Sequence, residues 1–423
     1  MWILYEFFYV LGFILYLPTA LWRRRLPAPG WRMRLGRYPD AVRQRWQRAR
    51  PLWLHAVSVG ETLASQPLQR AFRQAYPDVP LVVSTITPSG FSVAAKQADH
   101  DATIYFPLDL RVCIRRALAQ VQPRLLLLME SELWPMMVRQ THAAGIPIAV
   151  VNGRISPRAF RRYRLLRPWV KPFLQRIDLF LMQSQADAER IVQLGAAPAT
   201  VHVVGSLKWD ASLGTRPTHE ALEEVATRIR LNREDLIIVA GSTHRGEEDA
   251  ILQAFCELRA VGQNLRLILA PRHLERLAEV EALIRRMGLT SVRLSQPVTE
   301  PWGVGLVDTF GQLPTYYGLA DVTFIGGSLI PHGGQNPLEP ASLGKPVVFG
   351  PFMHNFSDIA AQLVTYQAAQ QLSSPAELCQ VLHELLTDHR LASAMGRRAQ
   401  DLVEKSRGTT RRTLDALRNL IAS

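Results

Sequence analysis

Cysteine is nearly absent: the 423 residues contain three, Cys113, Cys256 and Cys379. They stand singly and far apart, which excludes a disulfide framework or a thiolate zinc site and fits reduced thiols in a cytosolic compartment. No aspartate pair and no His/Cys cluster has the spacing of a divalent-metal site, so no metal is expected. Internal repeats and low-complexity tracts are missing too. Acidic side chains are in deficit, 36 against 49 lysines and arginines, for a net charge of +13. That balance calls for an acidic partner: nucleic acid, anionic lipid or a phosphorylated substrate. No nucleic-acid-binding motif occurs, and the leading basic cluster abuts an apolar segment, which sets nucleic acid aside.

That segment is the one long apolar run, Trp2 to Trp22, interrupted by a single formal charge at Glu6. A helix of this length spans a bilayer core of ~30 Å. Arg23, Arg24 and Arg25 follow directly, then Arg32, Arg34 and Arg37, and the positive-inside rule places that flank in the cytoplasm. No small-residue cleavage site follows, so residues 1–25 read as a retained anchor with a basic flank. Glu6 and Pro18 weaken a clean span and leave an interfacial helix as the alternative.

Beyond the anchor, short apolar runs alternate with amphipathic stretches. Leu52–Val57, Leu81–Thr85, Arg124–Met129, Pro147–Asn152, Leu179–Gln183 and Val201–Val204 read as strands, and a second series runs through Leu236–Ala240, Leu265–Ala270, Val304–Val307, Val322–Ile325 and Val347–Phe349. Such alternation implies parallel sheets covered by helices. The fold class is therefore α/β, with two doubly wound Rossmann-like domains facing a cleft: residues 26–209, a linker at 210–218, and residues 219–423.

Ligands of open α/β sheets sit at the carboxyl ends of strands, and polar clusters recur there. Glu61 opens a helix with Ser58 three residues earlier and Gly60 between, which is a capping box as well as a candidate base. Ser84 and Thr85 end the next strand. Glu130 and Glu132 flank Ser131, and alternation sends only one of them toward the cleft. Lys208 lies at the linker, and Arg272 follows Pro271 at the end of an apolar strand; cations there can neutralise a phosphate without metal. The densest cluster is Phe324 to Pro346, in which Gly326-Gly327-Ser328 and Gly333-Gly334 precede Asn336-Pro337-Leu338-Glu339. Two sets of bare backbone N–H groups beside a carboxylate suggest a phosphate cradle with Glu339 on a ribose. Asn336 through Glu339 is equally a capping box.

These motifs, taken in order, resemble the 3-deoxy-D-manno-octulosonate (Kdo) transferases of Gram-negative lipopolysaccharide assembly, from the anchor to about Leu402. The resemblance rests on His55-Ala-Val-Ser-Val-Gly-Glu61, Ser84-Thr-Ile-Thr-Pro-Ser-Gly90, Glu130-Ser-Glu-Leu-Trp-Pro135, Asn152-Gly-Arg154, Gly205-Ser-Leu-Lys208, Ala270-Pro-Arg-His273, Gly326-Gly-Ser328 and Asn336-Pro-Leu-Glu339. It implies a membrane-anchored, inverting enzyme of the GT-B architecture. Its donor would be CMP-Kdo, its acceptor the 6-hydroxyl of the phosphorylated lipid A precursor, and anionic inner-membrane lipid its surface; no cofactor is implied. By that matching Glu61 is the general base, and Glu130 with Lys208 assists the transition state. Pro271, Arg272, the Phe310-Gly311-Gln312 turn and Asn336 through Glu339 hold CMP. Gln312 departs from the family, which commonly has an acid there. A nucleotide-sugar 2-epimerase and a noncatalytic membrane adaptor are the competing readings; the first leaves the anchor without a reason, the second leaves the polar strand ends without one.

Overall fold

The computed structural model describes residues 5–12, 15, 29–46, 49–130, 134–211, 216–260 and 264–422. The chain forms two compact units, residues 1–211 with 408–423, and residues 212–407. In the first, seven parallel strands follow the order β3-β2-β1-β4-β5-β6-β7. They are β1 (Leu52–His55), β2 (Leu81–Thr85), β3 (Ala102–Tyr105), β4 (Leu125–Met129), β5 (Ile148–Gly153), β6 (Leu179–Met182) and β7 (Val201–Val203). The central strands are buried along their whole length, because helices cover both faces; hence their uninterrupted apolar sequence. Alternate residues feed opposite cores: Leu126 and Leu128 join Trp53 and Phe180 on one face, Leu125 and Leu127 join Leu54 and Leu181 on the other.

The second unit repeats the plan with β8 (Leu236–Thr243), β9 (Leu265–Pro271), β10 (Ser291–Arg293), β11 (Val304–Leu306), β12 (Val322–Ile325), β13 (Val347–Phe349) and β14 (Ala369–Gln371). Their order is β10-β11-β9-β8-β12-β13-β14, again all parallel. Strands β3, β10 and β14 are additions to the sequence reading.

The expected boundary of the second domain needs correction at its far end. The Thr409–Ala422 helix packs on the first unit, burying Leu417 and Ile421 against β1, β2 and β4. Asp210 fixes the return, accepting hydrogen bonds from Gly408 N at 2.9 Å and Thr410 N at 2.6 Å, while Arg412 Nε donates to Val204 O at 3.0 Å.

The expected anchor falls partly outside the described residues, which omit 1–4, 13–14 and 16–28. Among those described, no helix is long and apolar enough to cross a membrane. Residues 5–12 are helical, and two polar side chains dock them on the first unit. Tyr5 Oη donates to the buried Asp109 Oδ2 at 2.6 Å, and Glu6 Oε1 accepts from Arg111 N, the first residue of the Arg111–Val121 helix, at 2.7 Å. Glu6 is thus a helix-start carboxylate and no stray charge in a span. Phe7, Phe8, Val10, Leu11 and Leu15 stay exposed.

Candidate active site

In the first unit the turn after β1 carries Glu61. Ser58 caps the Val59–Ala75 helix, its Oγ accepting from Glu61 N at 3.4 Å and donating to Glu61 Oε1 at 3.0 Å; Val57 N donates to Oε2 at 2.8 Å. The capping box is therefore real, and it holds a carboxylate that is only 8% exposed. Thr85 Oγ1 donates to Val57 O at 3.1 Å and braces the same turn from below. Ser84 is fully buried, its hydroxyl accepting from Trp53 Nε1 at 2.8 Å and meeting His55 Nδ1 at 3.0 Å. Both side chains are thus buried, Ser84 bonded within the sheet and Thr85 to the Glu61 turn. His55 lies flat on Phe106, and its burial drives its pKa down to about 3, so it stays neutral.

Glu130 follows β4 with φ of 55°, and Asn152 near the end of the adjacent β5 also has φ of 55°. Left-handed backbone costs a non-glycine residue of order 1–3 kcal/mol and collects at functional sites. Asn152 Oδ1 accepts from Leu207 N at 2.9 Å and so places the Lys208–Ala211 helix, from whose start Lys208 Nζ reaches 3.8 Å from Glu130 Oε1. Asn152 is a positioning residue that the sequence reading quoted only as part of a cluster. Glu61, Glu130 and Lys208 all follow the carboxyl ends of strands of one parallel sheet. Ser58 and Gly60 accompany Glu61; Glu132 lies outside the described residues.

The second unit gathers its polar groups on the corresponding rim. Here the expectation of bare amides is overturned. Gly327 N at 2.6 Å and His244 N at 3.0 Å donate to Glu247 Oε2, while Ser328 N and Leu329 N, each at 2.9 Å, donate to Oε1. Glu247 is fully buried, so the anion cradle of Gly327 and Ser328 is filled by the protein's own carboxylate. Gly326 N donates to Gly241 O, Gly334 N to Gly327 O, and Ser328 Oγ to Ile325 O. The glycines are needed for close approach nonetheless: a Cβ at Gly326 would stand 2.2 Å from Ser242 O. Burial raises the pKa of Glu247, and the four N–H groups pull it back.

Glu339 lies beside Asn336 at a helix start. Asn336 Nδ2 donates to Glu339 Oε1 at 3.2 Å, and Asn336 Oδ1 accepts from Leu338 N at 3.1 Å, so the pair caps the Leu338–Ser342 helix after Pro337. Burial raises the Glu339 pKa, while Asn336 and the nearby Arg272 lower it. Arg272 follows Pro271, the last residue of β9, and its side chain is exposed. After β11, Phe310 is 74% exposed, Gly311 has φ of 85°, and Gln312 starts the Leu313–Leu319 helix.

Two all-parallel sheets with polar carboxyl rims make an α/β protein structurally similar to the GT-B glycosyltransferases. A glycosyltransferase from Rickettsia africae shares the fold at TM-score 0.61 and 11% identity, over 88% of this chain and 99% of that one. The sequence is more specific. Residues 29–211 match the model of the 3-deoxy-D-manno-octulosonic-acid transferases. The 3-deoxy-D-manno-octulosonic acid transferase of Haemophilus influenzae is 34% identical over 372 residues, 87% of this chain and 86% of that protein. That of Bordetella pertussis is 34% identical over 415 residues, 94% of each. The chain belongs to the 3-deoxy-D-manno-octulosonic acid (Kdo) transferase family.

Proposed function

We propose that this chain transfers Kdo from CMP-Kdo to the 6-hydroxyl of the phosphorylated glucosamine disaccharide of the lipid A precursor, in lipopolysaccharide biosynthesis. Identity of 34% across 87% of the chain to a named Kdo transferase is the observation that carries it. The site residues support it. Glu61, held by Val57 N and Ser58 Oγ, takes the hydroxyl proton; the acceptor oxygen bonds to the anomeric carbon as the bond to phosphate breaks, and CMP leaves with inversion. Lys208, near Glu130, offsets charge as it develops. Exposed Arg272 meets the leaving phosphate, Glu339 and Asn336 hold the ribose, and Phe310 with Gly311 and Gln312 receives the base. Gly326, Gly327 and Ser328 floor that site without donating to the phosphate, because Glu247 occupies the Gly327 and Ser328 amides and Gly241 O that of Gly326.

The membrane assignment is part of the same proposal. A monotopic or single-pass amino-terminal segment, apolar outward at Phe7, Phe8, Val10, Leu11 and Leu15, holds a cytoplasmic catalytic body against anionic inner-membrane lipid. Incubating the purified chain with CMP-Kdo and the tetraacylated disaccharide bisphosphate tests the whole reading. Lipid products heavier by one or more Kdo residues, formed equally in EDTA, are expected. Hydrolysis of CMP-Kdo without lipid product would refute the acceptor, and a rate restored only by magnesium would refute metal independence.

A further inference from the structure

Three imidazoles converge on the rim of the second unit. His244 follows β8, His273 follows β9, and His332 lies in the turn after β12. The His244 ring stands 4.0 Å from that of His332 and 5.6 Å, edge-on, from that of His273. Gln335 Nε2 meets His244 Nε2 at 3.2 Å. Gly327, at φ +69°, lies beside the cluster: a Cβ there would be in ordinary contact with His244, His332 and Gln335 at 3.4–3.6 Å.

The nearby acids are spoken for. Glu247 spends both oxygens on four backbone N–H groups. Glu275 meets His273 at 3.4 Å, and Glu248 with Glu279 holds Arg276. Among the described residues no carboxylate pairs with His244 or His332. Arg272 follows β9 on the same rim, one residue before His273, and its charge reaches both Glu339 and His244. With Glu339 on the ribose and Arg272 on the phosphate, as proposed above, the histidines beside Arg272 fall to the sugar.

We infer that His244 and His332 form an anion subsite that receives the carboxylate of the donor's sugar acid and so selects an acidic sugar over a neutral one. The inference rests on the donor assigned above. Burial and the surrounding cations push the His244 pKa down to about 4, so the site resists an uncompensated proton and gains most from an arriving anion. His332 is exposed, which makes it the residue to vary.

The test compares His332→Gln, His332→Glu and His244→Asn with wild type, measuring the KM for CMP-Kdo, the Kd for CMP alone, and the melting temperature. A lost charge-assisted contact of ~1.5 kcal/mol or more corresponds to about tenfold. His332→Gln should therefore raise the KM for CMP-Kdo about tenfold, His332→Glu more, with the Kd for CMP within about twofold and the melting temperature unchanged. Equal weakening of CMP and CMP-Kdo would assign the histidines to the phosphate and overturn the proposal, as would an unchanged KM. Should His244→Asn fail to fold, the two His332 variants decide alone. A wild-type chain that binds CMP but does not consume CMP-Kdo would sink the donor assignment and this subsite together, whereas an active wild type with unaffected variants sinks only the subsite.

Discussion

Glu61 and Glu247 are the same residue type in the same kind of place, the turn between a strand and a helix, with opposite consequences. Glu61 accepts from Val57 N and Ser58 Oγ and keeps 8% exposure; Glu247 accepts from four backbone N–H groups and keeps none. The first remains a candidate base, and the second is a structural anion. Glu247→Gln puts a donor where only acceptors fit, so it should destabilise the chain by about 1–3 kcal/mol and weaken CMP binding; unchanged thermal unfolding and CMP affinity would contradict that role. The glycines of Phe324 to Pro346 correctly signalled close backbone approach, but their partner is a side chain some eighty residues earlier, which no local spacing reveals. His55 and His100 add a pH dependence of stability. Both titrate near 6.5 when unfolded, whereas burial lowers them to about 3 and about 4 in the fold. The unfolded chain therefore binds the extra protons as pH falls below about 6.5, and stability drops by up to ~1.4 kcal/mol per pH unit for each group. Melting temperature should fall from pH 7 to pH 5, and His100→Gln should flatten that fall; an identical slope in the variant would contradict it.

Among elements, the ones legible from sequence are those buried on both faces. Leu125–Met129 and Leu52–His55 are continuous apolar runs because helices cover both sides of the sheet. The strands β3, β10 and β14, absent from the sequence reading, are all edge strands; Ser291–Arg293 and Ala369–Gln371 are partly exposed and carry no apolar run. Helix starts were legible where a Ser or Thr cap stands at the right spacing, as at Ser58. The return of the Thr409–Ala422 helix was not, because it depends on Asp210, whose partners lie two hundred residues away. Asp210→Ala removes both acceptors and should cost about 1–2 kcal/mol of stability, read by denaturant unfolding; a loss below a few tenths would mean the helix docks by its apolar face alone. Among the described residues, the amino-terminal segment bonds to the rest of the first unit through Tyr5 and Glu6. Deleting residues 1–22 should therefore lower the melting temperature modestly, reduce activity on vesicle-embedded acceptor tenfold or more, and leave detergent-dispersed acceptor turned over within a few-fold. Equal losses on both acceptors would give the segment a part in the site itself.

At the scale of the whole molecule, the charge of +13 and the single apolar run are what the proposed work on anions at a lipid surface calls for. Under the proposed function, Glu61, Glu130 and Lys208 on the rim of one unit and Arg272 with Glu339 on the other would divide the labour, with proton removal in the first unit and nucleotide in the second. That division is the central claim. Glu61→Gln, measured in parallel for CMP affinity by calorimetry and for transfer from CMP-Kdo in a single turnover, tests it most directly. The expected result is transfer reduced by a thousandfold or more, in line with the loss of a general base acting with its positioned acceptor, with the CMP Kd unchanged and the protein still folded. Transfer within tenfold of wild type would remove Glu61 from the chemistry, and a parallel loss of CMP binding would contradict the division between the two units.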